Sequence, residues 1–551
     1  MDNIMNRRGL LRMAGAGALG LAAAPLLSAC GGGSGGGSGT GGVSNAGKQL
    51  APWPTYVPFA GPKPDAPGDD TGVQPLYLTY PETLTQSVDD TVGDGSKVTA
   101  LVVTYGPPPA PVAQNRYWQA INKALNVDLQ VTIIPDPEYG QKMTTLMASG
   151  SDLPDIIMFT NLALPHSLEF IQARCADLSE FVAGDAVKQY PNLANIPTYA
   201  WKGMGRINGK IYGIPLERPM PANSLFVNRT AMDEAGIPKD WTAEQYLDAM
   251  KELSGERKWG LGWYKTLFTG LGCISYHAGA LGAPNIWAVS GGQFTSTITT
   301  PQFEQAIDVM RKLVEAESVH PDSLTVSSTD MQSYFYNGTV ASSQDGFGSL
   351  SPTTLTKING RYELDLGRPY SPQATPWQSA GMFGYVTFKK APADRIKLLL
   401  RISDYLSAPF GTKEYELANY GVEGVHFTKE DGGIKTTDLY QTENNNTLPF
   451  RYIGAAPSVL YLPGHPETAK ATYEWQQATL PKSVPNPGQG LRSATQVSKG
   501  AQLNQILGDG IAAIAFGRKP LSAWKDVVAQ WKRTGGDQMA GELAEEYAAN
   551  Q

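Results

Sequence analysis

Histidine and cysteine are scarce, five and three in 551 residues. None of them falls into the close Cys and His spacing from which a zinc site is built, so no metal site is expected. Basic charge is not in excess either: 44 Lys and Arg stand against 51 Asp and Glu, a formal net charge of -7. A protein made to neutralise phosphates carries the opposite balance, which excludes nucleic acid as the expected partner. There is no GxSxG elbow, no HExxH pair and no Gly-rich phosphate loop at a strand-to-helix junction, so serine hydrolase, zincin and nucleotide chemistry lack their local signatures. A membrane-spanning run is missing too. The best candidate, residues 13–29, contains three Gly and one Pro and is short for about 30 Å of hydrocarbon. What remains is a chain with 41% hydrophobic residues, 60 Gly and 40 Pro, long enough for about three to five domains or two large lobes.

Arg7, Arg8 and Arg12 precede that uncharged stretch, the order of an export signal. Leu27-Ser28-Ala29-Cys30 resembles the bacterial lipobox. Residues 1–29 are therefore expected to be removed and Cys30 to be acylated, which anchors the protein on the bilayer; an ordinary cleaved signal with an accidental Cys is the other reading. Asn6 to Arg12 also resembles a twin-arginine motif, and the choice between Sec and twin-arginine export stays open. Nine of the twelve residues 31–42 are Gly, and residues 50–97 are rich in Pro, Gly, Thr and Asp with little periodicity. Residues 30–97 thus read as a lipid-anchored tether, its later part either spacer or surface wrapping. Cys175 and Cys273 are free to pair in an oxidising compartment, although their apolar neighbours favour buried thiols.

From residue 98 the pattern becomes regular. Residues 98–105 are predicted as a strand, 113–125 as a helix, 129–134 as a strand, 138–149 as a helix ending at Gly150, and 155–159 as a strand. Thr242 with Gln245 marks a capping box, and Thr300 with Pro301 opens a helix whose stripe is Phe303, Ile307, Met310 and Val314. A strand is predicted at 381–388 and a helix with Ile396, Leu399, Leu400 and Leu406 after it. This alternation of strand and helix is the mark of an α/β fold with a parallel sheet.

Three segments carry a resemblance. Ser149-Gly150-Ser151-Asp152-Leu153-Pro154-Asp155-Ile156 ends a helix at Gly and turns through Pro into a buried strand. Gly209-Lys210-Ile211-Tyr212-Gly213-Ile214-Pro215 is followed by Ser224-Leu225-Phe226-Val227-Asn228, and Tyr420-Gly421-Val422-Glu423-Gly424-Val425-His426-Phe427 comes later. In this order they resemble the extracellular solute-binding lipoproteins of bacterial ABC importers (family 1), the large oligosaccharide-binding type, over most of residues 98–549. The resemblance implies a two-lobe, type II periplasmic-binding-protein-like fold, each lobe a mixed sheet flanked by helices with a cleft between them. The expected lobes are 98–218 with 372–445, and 219–371 with 446–551. It further implies a monomer on the extracytoplasmic face of the cell membrane that needs no cofactor, captures a carbohydrate and delivers it to an ABC permease. Relatives often carry a calcium loop at the equivalent of residues 252–260, but ELSGERKWG lacks the alternating carboxylates of such a cage, so no calcium is expected there.

A sugar presents hydroxyls at its edge and C–H patches on its faces, so its site needs aromatic platforms beside amides and carboxylates. Trp263, Trp287 and Trp377 lie in loops and are the expected platforms, whereas Trp118, Trp524 and Trp531 lie on helices and read as core. Tyr105, Asn161, Gln344 and Asp345 sit at predicted strand ends, and Glu423 lies in the YGVEG segment; all five are candidate polar contacts, although Asn161 and Asp345 could simply cap helices or turns and Glu423 could pair with a neighbouring charge. Glu217 and Arg218 follow the expected crossing between lobes and either brace it or meet the ligand. The competing class is a secreted glycoside hydrolase, which needs two carboxylates about 5 to 9.5 Å apart.

Overall fold

The computed structural model describes residues 43–550 apart from 89–90, 107, 161–163, 268–270 and 445–449. The export signal, Cys30 and Asn161 lie outside the described residues. Among those described, no helix is long and apolar enough to cross a membrane.

Strand β1 (Lys97–Thr104) has Val98 and Ala100 to Val103 buried, as a strand covered on both faces requires. It pairs in parallel with β2 (Asp128–Pro135) over eight residues and with β3 (Ile156–Phe159), all four residues of which are buried. The helix Arg116–Leu125 makes the first crossover; Asn115 caps it by accepting from Trp118 N, and a left-handed Asn126 ends it. It starts later than predicted because Val112–Gln114 forms a separate 3-10 turn. The helix Asp136–Ser149 stops where Gly150 takes a φ of +61°, and the chain turns into β3.

The chain then adds β4 (Ile214–Glu217), leaves this sheet, and forms β5 (Asn223–Asn228), the hairpin β6 (Trp287–Ser290) and β7 (Gln293–Ser296), then β8 (Ser342–Gly346) and β9 (Leu364–Leu366). It returns as β10 (Met382–Phe388), antiparallel to both β3 and β4. The result is a five-stranded mixed sheet, order β2-β1-β3-β10-β4, and a separate three-stranded antiparallel sheet, β8-β5-β9. Helices cover both. Ala243–Glu252 starts at the full Thr242 and Gln245 capping box, and Pro301–Glu315 buries Phe303, Ile307 and Met310 against the core that holds Trp524 and Trp531. This is an α/β architecture of two halves, one on a mixed sheet and the other, contrary to the expectation of a mixed sheet in each, on an antiparallel one.

The passages between the halves are bonded to one another. Arg218 N donates to Gly381 O (3.1 Å), Ser379 N to Met220 O (2.8 Å), and Pro221 faces Gln378 in an antiparallel bridge. A further segment joins them, with Gln378 N donating to Val484 O (2.9 Å) and Val484 N to Pro376 O (2.8 Å).

Some expectations need correction. Of the two readings open for residues 50–97 the described segment takes surface wrapping, and the tether expected before it already packs on the body from residue 43, because Val43, Val73, Leu76, Tyr80 and Val92 are buried. Its backbone is bonded to the body along its length: Ala51 N to Gly209 O, Val57 N to Ala194 O, Tyr77 N to Leu460 O. Residues 450–455 do not leave the first half at 446, since Phe450, Tyr452 and Ile453 join the core of the five-stranded sheet. Both described cysteines are buried and free. Burial pushes the Cys175 thiol up to about 11 and the Cys273 thiol up to about 12. In the loop 252–260, Ser254 Oγ donates to Met250 O and accepts from Gly260 N, while Glu252 and Glu256 are exposed.

Candidate functional site

The ends of strands from both sheets converge on one cavity of about 710 Å³. Tyr105 reaches it from the end of β1, Arg218 from the end of β4, Asn223 and Ser224 from the start of β5, Asp345 from the end of β8 and Phe383 from the start of β10. Strand ends are where open α/β sheets present loops and unpaired groups, so this is the expected position of a ligand. A smaller cavity of about 240 Å³ adjoins it and shares Arg218, Pro219, Phe347 and Arg451 with it.

The walls are aromatic and cationic. Phe383 stacks on Tyr452 with ring centroids 5.3 Å apart, meets the edge of Tyr105 at 6.0 Å, and lies 5.2 Å below the Arg218 guanidinium. Elsewhere in the lining Phe347 stacks on Trp475 at 5.9 Å, and Trp475 Nε1 donates to Gly367 O, which fixes the ring. Flat rings held by such contacts present a C–H-binding face with little rotamer entropy left to lose.

Glu217 and Arg218 turn to different surroundings, the crossing and the cavity. The Glu217 carboxylate is buried and accepts from Tyr199 OH (2.6 Å), Ser458 N (2.8 Å) and Ser458 Oγ (2.7 Å). Burial holds its pKa above the usual carboxylate range although these bonds favour the charged form. It braces the crossing. Arg218 faces the cavity; burial first, then the charge of Arg451, pushes its guanidinium down to about 10.

Of the candidates, Tyr105, Asp345 and Trp377 line the cavity. Asp345 is held by Gln332 Nε2 (2.6 Å) and Gly346 N (2.7 Å), and burial raises its pKa. Trp377 donates Nε1 to Ala283 O (3.0 Å), which turns its ring partly into the core. The other described candidates are displaced. Trp263 is fully buried and packs against Phe516; the chain there is extended, so the next residue, Tyr264, faces the cavity instead. Trp287 turns to Phe294 and Trp531 in the core while Asn285 and Ile286 line the cavity. Gln344 is buried on the inner face of β8 and donates to Ser275 Oγ, leaving the cavity to Asp345. Glu423 is an exposed residue outside the cavity, paired with Lys429 at 3.2 Å. Tyr264, Tyr336, Phe383, Arg451, Tyr452 and Trp475 also line the cavity, beyond the residues expected from the sequence. For Tyr264 the sequence holds a signal, the Gly-containing loop it shares with Trp263.

A family model described as bacterial extracellular solute-binding protein matches residues 116–402, more than half of the chain. The chain is 24% identical over 484 residues to the polygalacturonan/rhamnogalacturonan-binding protein YtcQ of Bacillus subtilis (strain 168), covering 84% of this chain and 93% of that protein. It is 22% identical to Lipoprotein LipO of the same organism, covering 80% and 91%. Among solved structures, the S. pneumoniae ABC-transporter substrate-binding protein FusA in complex with kestose superposes with a TM-score of 0.62 at 14% identity, over 83% of this chain and all of that one.

Proposed function

The chain belongs to the bacterial extracellular solute-binding proteins, a family of binders and not of enzymes, and on that premise we propose that it captures an oligosaccharide in the 710 Å³ cavity and passes it to an ABC permease by closure of its two halves. The observation that carries this reading is the ring of aromatic faces, Tyr105, Phe383, Tyr452, Phe347 and Trp475, set among polar groups at strand ends from both sheets. Stacked rings suit the C–H faces of sugars, and Asn223, Gln332 and Asp345 suit their hydroxyls. The relatives named for polygalacturonan binding and solved with kestose support the same class of ligand. Anchoring through an acylated Cys30 on the extracytoplasmic face fits the lipoprotein relative.

The lobes that close are those built on the five-stranded and the three-stranded sheets, with the bonded ribbon of Arg218–Pro221 and Gln378–Gly381 as their pivot. Closure is favoured when contacts made only in the closed state offset its cost. Calorimetric titration with a panel of neutral and acidic oligosaccharides, paired with small-angle scattering, tests the reading. A saccharide that binds with release of heat and shrinks the radius of gyration is the expected outcome; a panel without a binder overturns it.

A further inference from the structure

Across the whole chain acidic residues outnumber basic ones, 51 to 44. The cavity lining reverses that balance: among the described residues Arg218, Lys357 and Arg451 face a single carboxylate, Asp345. The adjoining cavity has Arg218 and Arg451 in its lining and no carboxylate among the described residues. These two arginines therefore mark the neck where the two spaces meet.

Arg218 is built into this place with part of its bonding capacity unused. Its Nη1 donates to Glu217 O (2.8 Å), and its Nη2 is buried without a hydrogen-bond partner. The Glu217 carboxylate is engaged by Tyr199 and Ser458, while Phe383 covers the guanidinium at 5.2 Å. A guanidinium pushed down only to about 10 still carries its charge at neutral pH. A buried charged donor without an acceptor is costly, and a carboxylate is the acceptor that satisfies both its charge and its forked geometry.

We propose that the ligand is an anionic oligosaccharide, one containing a uronate, whose carboxylate is held by Arg218 and Arg451 at the neck while its sugar units extend into both cavities. This rests on the carbohydrate-capture reading and narrows it. A neutral glycan offers Arg218 Nη2 a hydroxyl oxygen at best, which forgoes the charge.

The probes are trigalacturonate, trimannuronate and the same trisaccharides with their carboxylates reduced to hydroxymethyl groups, titrated calorimetrically into the full chain. At least one acidic trisaccharide is expected to bind ten or more times tighter than its reduced form, with a Kd that rises with salt. Arg218→Gln should bring the acidic trisaccharide to within about threefold of the reduced one, and Arg218→Lys should fall between. If Arg218→Gln fails to fold, as a melting curve would report, Arg451→Gln and the wild-type comparison of acidic with reduced probes carry the test. Equal or tighter binding of the reduced forms overturns the inference and leaves carbohydrate capture standing. Binding of neither class removes both.

Discussion

Trp263 and Phe383 show how one aromatic residue can serve the core and another the cleft. Trp263 is fully buried beside Phe516, so Trp263→Ala is expected to cost about 3–5 kcal/mol of stability through the cavity it leaves. The affinity of the molecules that remain folded should be unchanged. Phe383 lines the cavity, and Phe383→Ala is expected to weaken oligosaccharide binding by roughly 1 kcal/mol or more, about fivefold in Kd. Urea unfolding and titration calorimetry on both variants separate the two effects. Asp404 supplies a pH dependence. Burial pushes its carboxyl from 3.8 to about 7 against the pull of the N–H groups of Asn192 and Leu193. Between these values the folded chain keeps a proton that the unfolded chain has lost. This contribution to stability is whole below pH 3.8 and is lost as pH rises to about 7. Asp404→Asn keeps the neutral shape at every pH, so its melting temperature should gain on the wild type between pH 5 and pH 8.

At the scale of elements, caps and breakers were the most legible features. The Thr242 and Gln245 box, Pro301 after Thr300 and the stop at Gly150 stand where the sequence put them, because each depends on a local backbone group and a side chain a few residues away. Thr242→Ala is expected to cost about 1 kcal/mol, read as a lower urea midpoint, with ligand affinity unchanged. What a local pattern cannot supply is the face on which an isolated loop residue points. Trp263 and Tyr264 share one loop, and Gln344 and Asp345 one strand end, and in an extended chain successive side chains take opposite sides. Deciding which side is the cleft requires the partner strands, Val319 beside Leu261 and Ser343 beside Gly262, which are distant in sequence. Arg451 and Tyr452 are illegible for a related reason: they lie on a short 3-10 turn with no periodicity to mark them.

For the whole molecule, the sequence conveyed the α/β alternation and the family, but it left the strap that begins at residue 43 open between spacer and surface wrapping. A chain that binds through its backbone leaves no side-chain period to read. This one does so at Ala51, Val57 and Tyr77, and its first residues hold the last helix, Asp537–Ala549, where Glu546 accepts from Asn45 N (2.7 Å) and Nδ2 (3.0 Å). The strap also joins the core containing Phe226 through Val73 and Leu76, then the one containing Phe427 through Tyr80. Val73, Leu76 and Val92 alone bury about 2 kcal/mol each, against a typical total stability of about 5–15 kcal/mol. A chain that begins at residue 97 is therefore expected to melt far below the full protein and to bind a hydrophobic dye; an unaltered melt would show that the strap is dispensable.

The two free cysteines have a practical consequence. Cys175 lies in the core of the five-stranded sheet and Cys273 in a core around Trp263 and Tyr246, so each half holds one thiol that reagents reach only when that half opens. Their raised pKa values keep both thiols protonated, and so unreactive, at neutral pH. Pulse-labelling with a maleimide, followed by mass spectrometry of the two peptides, would then clock the opening of each half separately and without engineering, and would tell whether a bound sugar locks one half or both.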